Sequence, residues 1–168
     1  MTKLYNYYIL LIIALGLTSC DDNLEINPRQ DIDGSQVFTS EQNIDALLLG
    51  IYQDSGQDLS YGGDIQITND LIGTSDQVSW FGTFVQPRQF IQKNILVDNS
   101  FVRDTWANNY ESINQSNLII DNLDIVTSSD AKRDQVEGEA KYLRALNYFG
   151  LITLWALPYE AGTVNSQP

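Results

Sequence analysis

Apolar positions in the 168-residue chain fall into three runs at helical spacing, separated by polar and glycine-rich stretches. The first run, Ile44, Leu47, Leu48, Ile51 and Tyr52, recurs every three or four residues and predicts an amphipathic helix from about Thr39 to Ser55-Gly56. Thr39 is placed to cap it, Gln42 to return the capping contact, and Glu41 to sit at the positive end of the helix dipole. A second run, Val102, Trp106, Tyr110, Ile113, Asn117 and Ile120, has no proline in it and predicts a helix from about Phe101 to Asp124 with those side chains in the core. The third, Val136, Ala140, Leu143, Asn147, Leu151 and Leu154, predicts a helix from Asp130 to about Ala156, capped by the Thr-Ser-Ser-Asp turn and stopped by Pro158. From Tyr142 onward Leu146, Phe149, Ile152 and Trp155 make this helix apolar nearly all round, which predicts burial on most sides. Glu137 stands four residues before Lys141, the spacing of a modest surface pair. Two long helices joined by a short turn pack antiparallel, so a helical hairpin is the expected scaffold.

Between Gly56 and Asn99 the pattern is weaker, with loops such as Tyr61-Gly62-Gly63-Asp64 and only a faint helical signal around Ile65 to Leu71. Trp80, Phe81, Phe84 and Phe90 lie in or beside these loops. Large aromatics usually anchor cores, whereas loops carrying them are frequent ligand sites.

The chain begins differently. Lys3 precedes an apolar run from Ile9 to Ala14 and on to Leu17, too short to span a bilayer comfortably, and the run stops at Leu17-Thr18-Ser19-Cys20. Residues 1–19 therefore read as a secretory signal outside the fold. The Leu-Thr-Ser-Cys pattern resembles the lipobox of bacterial lipoproteins, in which the cysteine is diacylated and becomes the new N-terminus. A buried small hydrophobe or half of an intermolecular disulfide would leave the abrupt stop of the apolar run unexplained, so Cys20 is read as a lipidation site. The acidic stretch 20–37, broken by Pro28 and Gly34, reads as a tether to a helical domain over 38–168.

Charge and composition then exclude several functions. A formal charge of -13, one unit more negative once Lys3 is removed, disfavours any phosphate-backbone ligand, so nucleic acid is not an expected partner. With no histidine and one cysteine, histidine-based acid/base catalysis, histidine-ligated zinc, thiolate metal clusters and intrachain disulfides are all ruled out within the chain. No nucleophile motif, phosphate loop or metal-ligand spacing is present, and no cofactor is expected. Among 22 acidic residues some glycosidase-like pair would arise by chance, so the count points to no enzyme.

Gly138-Glu139-Ala140-Lys141-Tyr142-Leu143-Arg144-Ala145-Leu146-Asn147-Tyr148-Phe149, running on to Leu154-Trp155-Ala156-Leu157-Pro158-Tyr159, resembles the signature helix of the SusD/RagB family of outer-membrane nutrient-binding lipoproteins. Val37-Phe38 into Ala46-Leu47-Leu48-Leu49-Gly50-Ile51-Tyr52, the block Trp106-Ala107-Asn108-Asn109-Tyr110-Glu111-Ser112-Ile113 with Asn117, and Cys20-Asp21-Asp22 resemble three further family blocks in the right order. The chain departs in having Trp155-Ala156-Leu157-Pro158 where members usually have Trp-Gly and a short step to proline, and members continue for much longer. The resemblance implies a mostly α fold of tetratricopeptide-like helical hairpins with long loops, incomplete at its C-terminus. It further implies a lipid-anchored protein on the outer face of a Bacteroidetes-type outer membrane. There it would capture oligosaccharide, or peptide in some members, for a SusC-like TonB-dependent transporter. Aspartates after the acylated cysteine are similar to the family's surface-export signal, although in other Gram-negative bacteria they retain a lipoprotein at the inner membrane.

Sugar binding needs flat aromatic faces together with amides or carboxylates for paired hydroxyls. Tyr61, Trp80 and Phe81 are candidates for the faces, and Asn69, Asp76 and Gln77 for the polar contacts. The competing expectation is that Trp80 and Phe81 merely cover the ends of the long helices. Trp106, Tyr110 and Trp155 lie on helix stripes and are expected in the core, while Arg144 and Glu139 are expected in structural contacts, Arg144 through an ion pair or a helix cap. Peptide capture, a transporter-docking role without a ligand, and a surface glycosidase remain as alternatives to oligosaccharide capture.

Overall fold

The computed structural model describes residues 38–73 and 77–157; Cys20, the acidic stretch after it, Asp76 and Pro158 lie outside them. Among the described residues there are five α-helices, a 3-10 turn and no strand: α1 (Glu41–Gly56), α2 (Asp64–Gly73), α3 (Val85–Ile91), α4 (Ser100–Asp121), the turn Leu123–Ile125, and α5 (Asp130–Trp155). The fold is mostly α, as expected. The α2 segment outgrows its faint signal, and α3, with Pro87 inside only seven residues, had no periodic pattern long enough to predict it.

Each long helix starts where a polar side chain can accept from its free backbone N–H groups. Ser40, rather than Thr39, caps α1 by accepting from the Asn43 N–H at 3.3 Å, and the Thr39 hydroxyl instead accepts from the Asn43 side chain. Asn99 caps α4 and Ser129 caps α5. Glu41 spends its carboxylate across the chain, accepting from the Thr127 and Ser128 backbone N–H groups at 3.2 and 3.0 Å and from the Ser128 hydroxyl at 2.6 Å. These bonds hold its pKa below the ordinary carboxylate value, the Ser128 hydroxyl contributing most. They also fix the first turn of α1 beside the α4–α5 connection, so α1 runs alongside α5 and against α4.

Burial of α5 follows the sequence reading: Val136, Ala140, Leu143, Asn147 and Leu151 face inward, joined by Gly150. With Ile44, Leu48 and Ile51 of α1, Ile119 of α4 and Val126, the first half of α5 encloses the apolar core. The expected Glu137–Lys141 pair is present on the surface.

Two expectations about burial fail. The inward face of α4 is Thr105, Asn109, Ser112, Ile113, Ser116 and Ile119, turned by about one residue from the apolar stripe. Trp106 and Tyr110, expected in the core, are 43% and 41% exposed. Small side chains at a helix contact let axes approach closely, which indole and phenol rings would prevent. Two of the polar groups that this buries are satisfied along the helix, Asn109 donating to the Thr105 carbonyl at 2.8 Å and Ser116 to the Ser112 carbonyl at 2.7 Å, while the Thr105 and Ser112 hydroxyls have no partner among the described residues. The second correction concerns the C-terminal half of α5, which is not buried on most sides. Tyr142, Phe149 and Ile152 are 59%, 62% and 60% exposed, on the side of α5 opposite the buried positions.

A polar belt crosses the bundle beyond the apolar core. Asn147 donates to the Ser55 hydroxyl and to the Leu143 carbonyl, both at 2.9 Å; Ser60 donates to Asn109 Oδ1 at 3.3 Å; the Tyr61 hydroxyl donates to the Leu146 carbonyl at 2.6 Å. Gly150 makes room for this, since a Cβ there would stand 3.0 Å from Ile65 Cδ1 and 3.1 Å from the Tyr61 hydroxyl. The belt locks the end of α1 and the following loop onto α4 and α5, and α2 and α3 close the bundle beyond it.

Candidate functional site

Two concave or protruding features lie at the α2–α3 end. The first is an open apolar cleft of about 200 Å³. Its walls are Thr68 and Ile72 of α2, Phe90 of α3, Ile95, then Phe101, Val102 and Thr105 of α4 and Leu154 and Trp155 of α5. Lys93 holds one side in place. At the end of α3 it adopts a left-handed backbone (φ 53°) and its ammonium donates to the Leu71 and Ile72 carbonyls, capping α2. The Thr105 hydroxyl, on the cleft wall, is buried without a hydrogen-bond partner among the described residues. Trp155 also reaches the surface side, where its ring meets Trp106 edge-on at 5.3 Å, and Trp106 meets Tyr110 at 4.7 Å.

The second feature is the turn between Trp80 and Phe84. The Trp80 indole N–H donates to the Phe84 carbonyl at 3.1 Å, and the two rings stack at 6.5 Å with 14° between their planes. The Gly82 backbone lies directly against the indole: a Cβ at that position would come within 2.4 Å of Cζ2. Arg88, in α3, donates to the Gly82 carbonyl at 3.3 Å. Phe81 stands at the apex with 94% of its surface exposed, and Phe84 is also exposed.

The structure thus separates the residues proposed for ligand contact. Trp80 is half-buried in the turn and Phe81 is free, so Phe81 covers no helix end. Tyr61 belongs to the polar belt, its hydroxyl committed to Leu146 and its pKa raised by burial, and among the described residues no ring contact joins it to Trp80. Asn69 and Gln77 are exposed, and Asp76 lies outside the described residues. Among the described residues Arg144 makes no ion pair: its guanidinium donates to Asn117 Oδ1 at 2.8 Å, bridging α4 and α5 through a neutral amide. Glu139 accepts from Gln135 at 2.7 Å on the surface and helps to raise the Tyr52 phenol, whose shift comes first from burial. Phe84 stood out in the sequence only as one of the loop aromatics, and Gly82 and Arg88 were not anticipated as parts of the turn. A glycine flanked by Trp80-Phe81 and Thr83-Phe84 was the available signal.

One carboxyl group is strongly perturbed. Asp64, the first residue of α2, is 7% exposed; burial, reinforced by the carboxylates of Asp58 and Asp104, pushes its pKa up to about 6. Among the described residues no cluster of His, Cys, Asp or Glu could hold a metal ion. No described helix is long and apolar enough to cross a membrane.

Comparison with known proteins places the chain. Residues 22–167 match the family SusD-like_3, described as "Starch-binding associating with outer membrane". The chain is 28% identical to SusD-like protein P25 of Formosa agariphila, 25% identical to P2 and 26% identical to P38 of the same organism, over 91%, 89% and 92% of its own length. It spans 30% of the length of each of these relatives. No solved structure matches it. The chain belongs to the SusD-like family.

Proposed function

We propose that the chain is part of a cell-surface lipoprotein, anchored through Cys20, that captures an oligosaccharide and passes it to a SusC-like TonB-dependent transporter. The observation that carries the reading is the family match over residues 22–167 with its starch-binding description. The aromatic turn supports it: Phe81 offers a flat apolar face among the exposed hydroxyls of Ser79 and Thr83. Such a mixture suits a sugar ring, which presents C–H faces and hydroxyl edges together. Anchoring is supported by the layout at Cys20, where the family match begins two residues later. The reading needs no catalytic group, and capture without turnover is the expected activity.

Calorimetric titration with maltoheptaose, other oligosaccharides and short peptides, with the mixtures then checked for cleavage products, tests the capture step. Saturable binding of a sugar with no product supports the proposal. Product release would replace it with an enzyme, and peptide binding alone would change the cargo. Replacement of Cys20 by serine, followed by loss of acyl labelling and release from the outer-membrane fraction, tests the anchor. Co-purification with a TonB-dependent transporter tests the partner.

A second reading, docking to a partner without a ligand of its own, is favoured by the exposed apolar stripe Tyr142, Phe149 and Ile152 on α5. It predicts co-purification with the transporter but no heat with any sugar or peptide.

A further inference from the structure

The last turn of α5 forms one wall of the apolar cleft, and the polypeptide continues from that wall. Leu154 and Trp155 line the cleft, and Ala156, the helix C-cap, is already extended (φ -91°, ψ 154°). Pro158 disfavours a helical backbone at Leu157 as well, because its ring crowds the residue before it. Tyr159 follows, four positions after Trp155. Extended chain spans at most about 3.6 Å per residue, so those steps carry it no more than about 14 Å from the wall. A turn at Leu157-Pro158, a dipeptide suited to one, would return it to the cleft mouth.

The chemistry of the cleft selects its occupant. Ile72, Phe90, Ile95, Phe101 and Leu154 make the lining apolar, yet the Thr105 hydroxyl on its wall is buried without a partner among the described residues. A wholly apolar occupant would leave that hydroxyl unpaired, and a strongly polar one would be stranded among hydrocarbon side chains. An aromatic ring with one polar atom at its edge meets both demands, and tyrosine is such a group. Between 158 and 168, Tyr159 is the sole aromatic residue. A ring on so short a tether is present at an effective concentration of millimolar order, so even a weak fit is occupied.

We propose that the cleft is the seat of Tyr159 of the same chain, the ring lying among Phe90, Phe101 and Leu154 and the phenol hydroxyl paired with Thr105. Seated there, the ring ties α2, α3 and α4 to the end of α5 and sets the direction in which the polypeptide leaves the bundle. An acyl chain would leave Thr105 unpaired, and a sugar would lose most of its hydroxyl contacts against such a lining. The assignment is independent of the capture reading.

The test uses the purified full chain, labelled at isoleucine and leucine methyls, and NMR contacts between those methyls and the Tyr159 ring. Wild type should show contacts from Tyr159 to Ile72, Ile95 and Leu154, and Tyr159→Phe should keep them. Tyr159→Ala should open the cleft, so that added p-cresol, the tyrosine side chain as a free molecule, shifts the same methyls and raises the melting temperature, with neither effect in wild type. Thr105→Val in that background should weaken p-cresol binding about two- to tenfold while leaving toluene binding within about twofold. Absence of the Tyr159 contacts in wild type would overturn the proposal. So would p-cresol shifting the wild-type methyls as strongly as those of Tyr159→Ala, which would make the cleft an open site for an outside ligand. Contacts seen only between differently labelled copies in a mixed sample would also overturn it, in favour of an exchange between two chains. Should Tyr159→Ala fail to fold, the contacts in wild type and in Tyr159→Phe still decide.

Discussion

Replacing Asp64 by asparagine tests the electrostatics of the loop-to-α2 junction. The carboxyl is almost fully buried, close to two further carboxylates, and no ion pair reaches it among the described residues. Its pKa rises from 3.8 to about 6 on folding, so the folded chain holds the proton more tightly than the unfolded chain does. The sign follows: this group's contribution to stability is fully present below pH 3.8 and is lost as pH rises through about 6. At ~1.4 kcal/mol per pKa unit the ceiling of that contribution is ~3 kcal/mol. The α2 dipole favours the ionised form by ~0.3–1 kcal/mol and lowers the expectation to ~2 kcal/mol between about pH 4 and pH 7. Asparagine has nothing to titrate. Urea denaturation followed by circular dichroism at several pH values should therefore show Asp64→Asn gaining on wild type as pH rises, by about 2 kcal/mol across that interval. A difference that is flat within ~0.5 kcal/mol, or that favours wild type at neutral pH, would refute the buried, unpaired carboxylate.

Two glycines on α5 should respond in opposite directions to alanine. A Cβ added at Gly138 would meet nothing within 4 Å, so alanine there should gain ~0.5–1 kcal/mol as the better helix former, whereas Gly150→Ala should lose stability as the new methyl meets Ile65 and Tyr61. Equal effects in thermal melting would show that Gly150 is not a packing requirement. Glu41→Gln should expose the Thr127 and Ser128 amides to hydrogen exchange at neutral pH; in wild type the same loss should set in only as pH falls through the lowered pKa of Glu41, since a depressed carboxylate stabilises above its unfolded value. Unchanged exchange would mean that the carboxylate does not hold the connection. Asn147→Ala should cost ~1–3 kcal/mol in chemical denaturation and couple to Ser55→Ala, and strict additivity of the two would remove their hydrogen bond from the account.

How far the fold could be read from sequence depended on which residues carry the buried face. On α5 the inward positions are aliphatic, so periodicity located them, Asn147 included. On α4 four of the six inward positions are Thr105, Asn109, Ser112 and Ser116, which no hydropathy pattern favours; Ile113 lay on the expected stripe, but the larger Trp106 and Tyr110 drew the reading to the wrong face. The information was present in a different form: a row of small polar residues at helical spacing marks a close helix contact as surely as leucines mark a greasy one. The α3 helix escaped because seven residues hold too few turns to show a period. At the candidate site, the sequence singled out Trp80 and Phe81 by type but could not distinguish them. Their roles are set by the backbone closing at Gly82 and by the bond from Trp80 to Phe84, neither of which has a periodic signature.

The two exposed apolar regions differ in a way that bears on function. On α5, Tyr142, Phe149 and Ile152 recur along one helix face, so the exposed side chains are spread over several turns. A surface of that shape matches another protein element, which can bury it all at once. Around Phe81 the exposed rings of Phe81 and Phe84 share one closed turn with hydroxyl-bearing residues, a patch confined to a few residues. A protein partner would gain little from so small a contact, whereas a sugar ring is of that size and needs both the apolar face and the polar rim. Under the proposed function, capture and docking call for different surfaces, and the described residues offer one candidate for each. Variants on α5 should disturb partner association without changing sugar affinity, and Phe81 variants should do the reverse. If a single substitution at either place abolished both, the two surfaces would have to be one site.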